Sequence, residues 1–451
     1  MRHFLSILII LSASSGFFAQ QRTLSLDEAI ATALQRNTIL QQNTNNIEGY
    51  RSAVKNAYGN LLPDLNASGS WNWSRSERKV GETIIVQGNP FTLPGEDVES
   101  RSYNVAASSS ITLFDGLASW AYVSQTRNDL EAARQNLQRL KQDIVFGTIQ
   151  RYHNTLNVRQ LANVRRDDLE YNRKNLEIIN ERNKLGAVTL ADVYAQQVRV
   201  GNAELAVIQA ENEFENLRSD LLNFLGISVI EDIALIDPLE NGKAEIIEGE
   251  RMLTEYGDIN QLIDNARNNR PDLKGAQLAL ESAYNNVTVS RGGYYPQISN
   301  DYRFSMGANR IEDIDQSRNY SVGISVFLPL FSGWATENSV QQAKVRAKNQ
   351  ELTLSELERE INISLKNTYL NLQAAKKRLE VSEQNVLSAQ QNRQIEEEKY
   401  RLGSSSLVNL LLASSEYTLA QQNNINAKFD FLTLKSQLEY YLGVIDYKRF
   451  E

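Results

Sequence analysis

Cysteine is absent from this chain of 451 residues. That removes disulfides, thiolate metal sites and a lipid-modified N-terminal cysteine. Histidine occurs twice (His3 and His153) and methionine three times, too few for a soft-metal relay. No segment approaches ~20 consecutive apolar residues, so no membrane-spanning helix is expected. Net charge is −8 with no Lys/Arg cluster, which argues against a nucleic-acid partner. No nucleophile motif, metal-ligand cluster or phosphate loop is present, so neither an enzyme nor a bound cofactor is expected. His153 reads as a surface or seam residue. The one short apolar run, Phe4 to Leu11, follows Arg2 and His3 and precedes small residues through Ser15-Gly16. It reads as an export signal over residues 1–19, cleaved after Ala19.

What is present is repetition. Leu62-Pro63 recurs as Tyr295-Pro296, and Ala33 through Leu40 aligns with Ala266 through Leu273, at an offset of 233 residues. Leu113-Phe114-Asp115-Gly116 recurs as Leu330-Phe331-Ser332-Gly333, Leu185-Gly186 as Leu402-Gly403, and Phe224-Leu225-Gly226 as Tyr441-Leu442-Gly443, now at an offset of 217. One insertion of 16 residues between Pro63 and Gly116 accounts for the change. The unit of about 200 residues marks a duplicated domain and not a solenoid. The division expected is a first repeat over 20–227, a linking segment over 228–256 and a second repeat over 257–451.

Proline is scarce, and it is missing from two segments rich in helix formers, about 116–183 and about 333–400. In the second, Leu354, Leu357, Ile361, Leu365, Tyr369, Leu372, Ala375 and Leu379 step by threes and fours, the period of one helical face. Helices of this length reach roughly 100 Å. Their stripes hold many Ala, Gln and Asn, which suits thin coiled-coil seams; a pair of soluble coiled coils is the plainer reading. A glycine turn (Gly186, Gly403) leads each into a shorter helix, Leu190 to Asn223 and Leu407 to Tyr440. A further helix opens each repeat, from Leu26 to about Asn60 and from Ile259 to about Ser290, ended by Pro63 and Pro296.

Beyond those prolines the period changes to two. Strands are expected over about 64–75, 101–113, 297–308 and 319–330, apolar on one side and small-polar on the other. Trp71, Trp73, Tyr103, Tyr302 and Tyr320 supply aromatic anchors suited to a lipid interface. The insertion, around Arg75 to Glu99, reads as a long extracellular loop. Two hairpins on a soluble sheet are the alternative. Four strands cannot close a membrane barrel, and open edges in hydrocarbon leave backbone groups unsatisfied. The barrel is therefore expected to be shared, with eight strands from two copies or twelve from three.

These residues together resemble the TolC family of outer-membrane efflux proteins over nearly the whole mature chain. The pattern helix, strand hairpin, long helix, glycine turn and shorter helix, given twice with Leu-Phe-x-Gly strand ends and Leu-Gly helix tips, carries the resemblance. It implies an α+β membrane protein: a homotrimer with a twelve-stranded barrel in outer-membrane lipid and a coiled-coil tunnel through the periplasm. It implies docking to a periplasmic adaptor (membrane fusion protein) and an inner-membrane pump, with export of drugs, toxins or proteins. The acidic segment 228–256 looks like the family's equatorial belt, or else a solvated linker. By resemblance, Leu185, Gly186, Val188, Leu190, Leu402, Gly403 and Leu407 are the adaptor-docking tips. Asp192 and Tyr400 match linking positions of the family's periplasmic aperture, the linking arginine falls at Ser405, and the acidic-ring positions fall at Asn409 and Leu412. An aperture without acidic ring is expected, constricted by Leu412 and adjacent Leu411 and only weakly blocked by trivalent cations. A non-conducting envelope spacer or adhesin built on the coiled coils is the competing reading.

Overall fold

The computed structural model describes residues 22–77, 83–92, 97–237, 243–255 and 258–450; the expected export signal lies outside them. The chain forms two units. One comprises the described residues of 1–41, 141–266 and 364–451, the other residues 42–140 and 267–363.

The first unit holds both the first and the last described residues, with apolar clusters around Val145 and around Ile179. Helix α1 (Leu26–Arg36) starts on a capping box, with Ser25 Oγ accepting from the Glu28 backbone and Glu28 Oε2 from the Ser25 backbone. Strand β1 (Arg22–Leu24) pairs in parallel with β6 (Ile233–Leu235). The buried Tyr152 hydroxyl lies 2.8 Å from the Leu24 carbonyl oxygen and 2.6 Å from that of Ile236, beside this pair. Within the acidic segment expected as belt or linker, the described residues fold as β6 and as helix α5 (Lys243–Glu255). Glu248 and Glu250 of α5 pair with Lys435 (3.0 Å) and Lys376 (3.2 Å), and Gly249 rests against the ring of Phe431.

Two pairs of helices dominate: α3 (Ala118–Lys184) with α4 (Leu190–Phe224), and α8 (Ala335–Arg401) with α9 (Leu407–Leu442). On α8 the threes-and-fours stripe is the buried one, with Ile361, Leu365, Leu372, Ala375 and Leu379 all enclosed. His153, expected at a surface or seam, is buried on α3; its Nδ1 lies 3.1 Å from Thr433 Oγ1 and its ring is tilted against Phe429.

The opening helix of each repeat is broken, where a continuous one is expected from sequence. The breaks fall at repeat-equivalent residues. Asn37, in extended conformation, separates α1 from α2 (Thr38–Gly59), and its Oδ1 accepts from the Ile39 and Leu40 backbones at 3.1 and 3.2 Å. Arg270, also extended, separates α6 (Ile259–Asn269) from α7 (Pro271–Arg291). Pro271 at the first helical position has no N–H to lose and imposes the extended residue before it.

The second unit carries an antiparallel sheet in the order β2-β5-β7-β8. Its strands are β2 (Asn66–Glu77), β5 (Asp97–Phe114), β7 (Gln297–Ala308) and β8 (Arg318–Phe327). The two repeats meet at β5 and β7, leaving β2 and β8 as open edges. The insertion is not all loop, as expected from its composition. Strands β2 and β5 run into it, with Glu77 opposite Asp97 and Arg75 bridged to Asp97 at 2.8 Å. A small hairpin, β3 (Thr83–Val86) and β4 (Asn89–Thr92), turns within it at Gln87-Gly88, both with positive φ.

Candidate functional site

Two places concentrate the residues singled out from sequence. The first is the sheet. Residues directly opposite in neighbouring strands share a face, so the register sorts every side chain. Trp71 opposes Tyr103, Val105 opposes Met306, Ser109 opposes Tyr302, Tyr302 opposes Val322 and Phe304 opposes Tyr320. Trp71, Trp73, Tyr103, Tyr302 and Tyr320 therefore lie on one face, with Val322, Ile324 and Val326. The opposite face is Ser68, Ser70, Asn104, Ser108, Asp301, Arg303, Ser321 and Ser325, among others of the same kind. The apolar face of β8 is solvent-exposed along its length. A sheet with one polar and one bare apolar face, and two open edges, is incomplete as a single chain in water.

Where strand passes to long helix, both repeats make the same turn with two successive left-handed residues. Gly116 and Leu117 have φ of 69° and 67°, Gly333 and Trp334 of 59° and 62°. Glycine accepts this backbone freely, whereas a bulky side chain does so at a cost of about 1–2 kcal/mol.

The second place is the pair of helix tips in the first unit. Both long helices end in the same glycine motif. The Gly186 backbone donates to Asn183 O and that of Ala187 to Arg182 O; likewise Gly403 donates to Tyr400 O and Ser404 to Lys399 O. Gly186 and Gly403 have φ of 71° and 76°, and a Cβ at either would meet nothing within 4 Å. Open space rather than crowding therefore surrounds both glycines; their left-handed backbone explains them. Leu185 (83% exposed), Leu402 (68%) and Leu190 project to solvent, while Val188 is half-buried. Leu407 is not on the surface as expected for a docking tip. It is buried with Ile179, Val193 and Leu411 in an apolar cluster that joins α3, α4 and α9, and Tyr400 of α8 packs on its edge.

The aperture residues divide in the same way. Leu411 is 6% exposed and Leu412 57%. Successive helical residues point about 100° apart, so Leu412 faces outward while Leu411, expected beside it in the aperture, packs into the apolar cluster. Asp192 forms the capping box of α4, its Oδ2 accepting from the Thr189 backbone (2.9 Å) and Thr189 Oγ1 (2.8 Å). Ser405 Oγ donates to Glu396 Oε2 at 2.7 Å and accepts from Asn409 Nδ2 at 3.3 Å. The Lys399 ammonium and the Ser405 hydroxyl hold the Glu396 carboxyl below its ordinary range.

A further residue, not singled out from sequence, ties the tips together. Arg182, in the last turn of α3, donates to Tyr400 O at 3.3 Å and Arg401 O at 3.0 Å, and stacks 4.9 Å from the centre of the Tyr400 ring. A cation among the final carbonyls of α8 is where the helix dipole favours one. Its repeat-equivalent, Lys399, instead pairs with Glu396 on its own helix at 2.7 Å.

The family described as outer membrane efflux protein matches residues 29–226 and 262–444. Protein CyaE of Bordetella pertussis is 25% identical over 407 residues, covering 89% of this chain and 80% of that protein. Outer membrane protein TolC of Escherichia coli is 20% identical over 459 residues, covering 99% and 87%. In fold, the outer membrane protein VceC of Vibrio cholerae superposes with a TM-score of 0.76 at 18% identity, over 93% of this chain and 96% of that one.

Proposed function

The chain belongs to the outer membrane efflux protein family, whose members are outer-membrane channels with a helical tunnel on the periplasmic side, and from that premise we propose a trimeric exit duct. Three copies contribute four strands each to a twelve-stranded barrel in the outer membrane, and their long helices line a passage through the periplasm. Substrates are delivered by a periplasmic adaptor and an inner-membrane pump and pass without catalysis. Selectivity rests on constrictions and lining charge.

The observation that carries this reading is the sheet. Its small-polar face suits a water-filled interior, its apolar face suits lipid, and its open edges require partners because no backbone group can stay unpaired in hydrocarbon. A spacer without conduction has no use for a polar inner face. The exposed leucines around Gly186 and Gly403 support these tips as the adaptor-docking surface. Leu412, Asp192, Asn409 and Tyr400 support an aperture without acidic ring, so block by trivalent cations is weak.

Single-channel recording of the trimer-sized, detergent-purified protein in a planar bilayer tests the duct. Discrete conductance steps are expected, larger in Leu412→Gly. Silence from both proteins, folded and inserted, sinks the duct in favour of the spacer.

A further inference from the structure

Arg393 of α8 is a cation held by rings rather than by an anion. Its guanidinium carbon lies 4.2 Å from the centre of the Tyr417 ring of α9 and 5.1 Å from that of the Tyr171 ring of α3. Aromatic faces hold the flat of a guanidinium and leave its N–H edge for other acceptors. Among the described residues Arg393 makes no hydrogen bond or ion pair, and its Nε–H is enclosed without an acceptor. Glu397, one turn further along α8, bears on the Tyr171 hydroxyl yet does not pair with Arg393. Arg182 also stacks on a tyrosine, but it spends its donors on Tyr400 O and Arg401 O.

Other donors beside it close no bond either. The Tyr171 hydroxyl and Asn175 Nδ2, one turn apart on α3, are both enclosed without a partner, and Asn175 as a whole is only 9% exposed. Burial raises the pKa of Tyr171 above its ordinary value, against the pull of neighbouring Asn175 and Ser414, so the hydroxyl keeps a proton to donate. A guanidinium, a phenol and a primary amide thus gather where α3, α8 and α9 meet, and unpaired groups of this kind are costly when buried. Water can satisfy the phenol and the amide. It does not neutralise a half-buried guanidinium, for which an anion is the matching partner.

We infer that Arg393, Tyr171 and Asn175 form a binding site for small solutes that carry a carboxylate. A planar carboxylate matches the two-pronged edge of a guanidinium, and its remaining lone pairs accept from the phenol and the amide. The rings of Tyr171 and Tyr417 give apolar cover to the carbon attached to it. A spherical halide carries the charge without the paired oxygens, so it gains less from the fork. A bound carboxylate joins α3 to α8. The site is complete within one chain, so the inference stands apart from the barrel and the trimer.

The probe is acetate, whose methyl protons report proximity to the protein by saturation-transfer difference NMR. The full-length protein is titrated in detergent at constant ionic strength, with chloride as the balancing anion. Saturable transfer in the millimolar range is expected from the parent and is expected to vanish in Arg393→Gln. Arg393→Lys keeps the charge and loses the fork, so its binding should fall several-fold. Tyr171→Phe separates binding from folding. It deletes a buried hydroxyl without a partner, so the thermal midpoint should stay level or rise, while acetate binding falls several-fold. Equal transfer from the parent and Arg393→Gln, or none from the folded parent, overturns the site. Undiminished binding by Tyr171→Phe overturns it as well, and decides alone where Arg393→Gln does not fold. Full displacement of acetate by an equal concentration of chloride overturns the carboxylate as its ligand.

Discussion

Arg182 reaches from the last turn of one long helix to the last carbonyl groups of the other, donating to Tyr400 O and Arg401 O and stacking on the Tyr400 ring. Lys399, its counterpart in the second repeat, does nothing similar, so the tie runs in one direction only. Arg182→Gln is expected to accelerate backbone hydrogen exchange at residues 398–404 roughly tenfold, equivalent to about 1.4 kcal/mol. Closed-state conductance should rise with it, and Arg182→Lys should restore part of both, since a lysine keeps the charge and loses the fork. Unchanged exchange in Arg182→Gln would mean that the apolar cluster alone holds the tips.

Leu411 and Leu412 should separate cleanly. Leu411→Ala opens a cavity in the cluster with Ile179, Val193 and Leu407 and is expected to cost about 2–5 kcal/mol. Leu412→Ala, at an exposed position, is expected to stay within about 0.5 kcal/mol. Chemical denaturation of the two variants in detergent decides it; equal losses would place both side chains in the core.

Helix α5 depends on a missing side chain. A Cβ on Gly249 would stand 2.8 Å from two carbons of the Phe431 ring, and that ring is completely buried. Gly249→Ala should therefore destabilise by about 1–3 kcal/mol despite the better helix propensity of alanine. Combining it with Phe431→Leu should recover part of the loss, a coupling readable from a double-mutant cycle.

His153 makes the first unit acid-sensitive. Burial, with a smaller contribution from the Lys435 charge, lowers its pKa from 6.5 to about 4. The unfolded chain thus takes up a proton below about pH 6.5 that the folded chain refuses until about pH 4. Stability is full above the unfolded value and falls as pH drops through that window, by on the order of 3 kcal/mol at its end. Thermal midpoints of the parent and of His153→Gln at pH 7.5 and pH 4.5 test this. The variant should lose less between the two, and an identical drop would rule His153 out as a source.

What the sequence discloses follows from which interactions are periodic. The strands are legible because lumen-like and lipid-like positions alternate residue by residue, from Ser321 against Val322 to Ser108 against Ala107. The long helices are legible because nothing in them interrupts 3.6-residue spacing, and their ends because Gly186 and Gly403 take a conformation few other residues tolerate. The breaks at Asn37 and Arg270 are harder to see. Each is a single residue, made by a side-chain cap in one repeat and by Pro271 in the other. The hairpin β3-β4 lies in an insertion without a second copy to compare.

The sites are less legible than the fold. Whether Leu411 or Leu412 meets a partner helix turns on one step of rotation, which sparse seams of Ala, Gln and Asn do not fix. Arg182 carries a weak signal, a basic residue in a last turn; its partners are carbonyls 218 and 219 residues away, and backbone acceptors leave no mark in composition. Leu117 and Trp334 stand next to glycines that already explain a turn, so their own left-handed backbone is visible only in three dimensions.

The pairing of β5 with β7 carries a consequence for assembly. It joins the two halves of one gene product through eleven opposed residue pairs, so it forms without any second molecule. In the proposed trimer every remaining seam sets β8 of one copy against β2 of the next. A ring of six unfused half-chains has six seams to form between separate chains, and the fused chain has three. Duplication has therefore moved half of the ring closure from a concentration-dependent step to an internal one, governed by the length of the connecting chain.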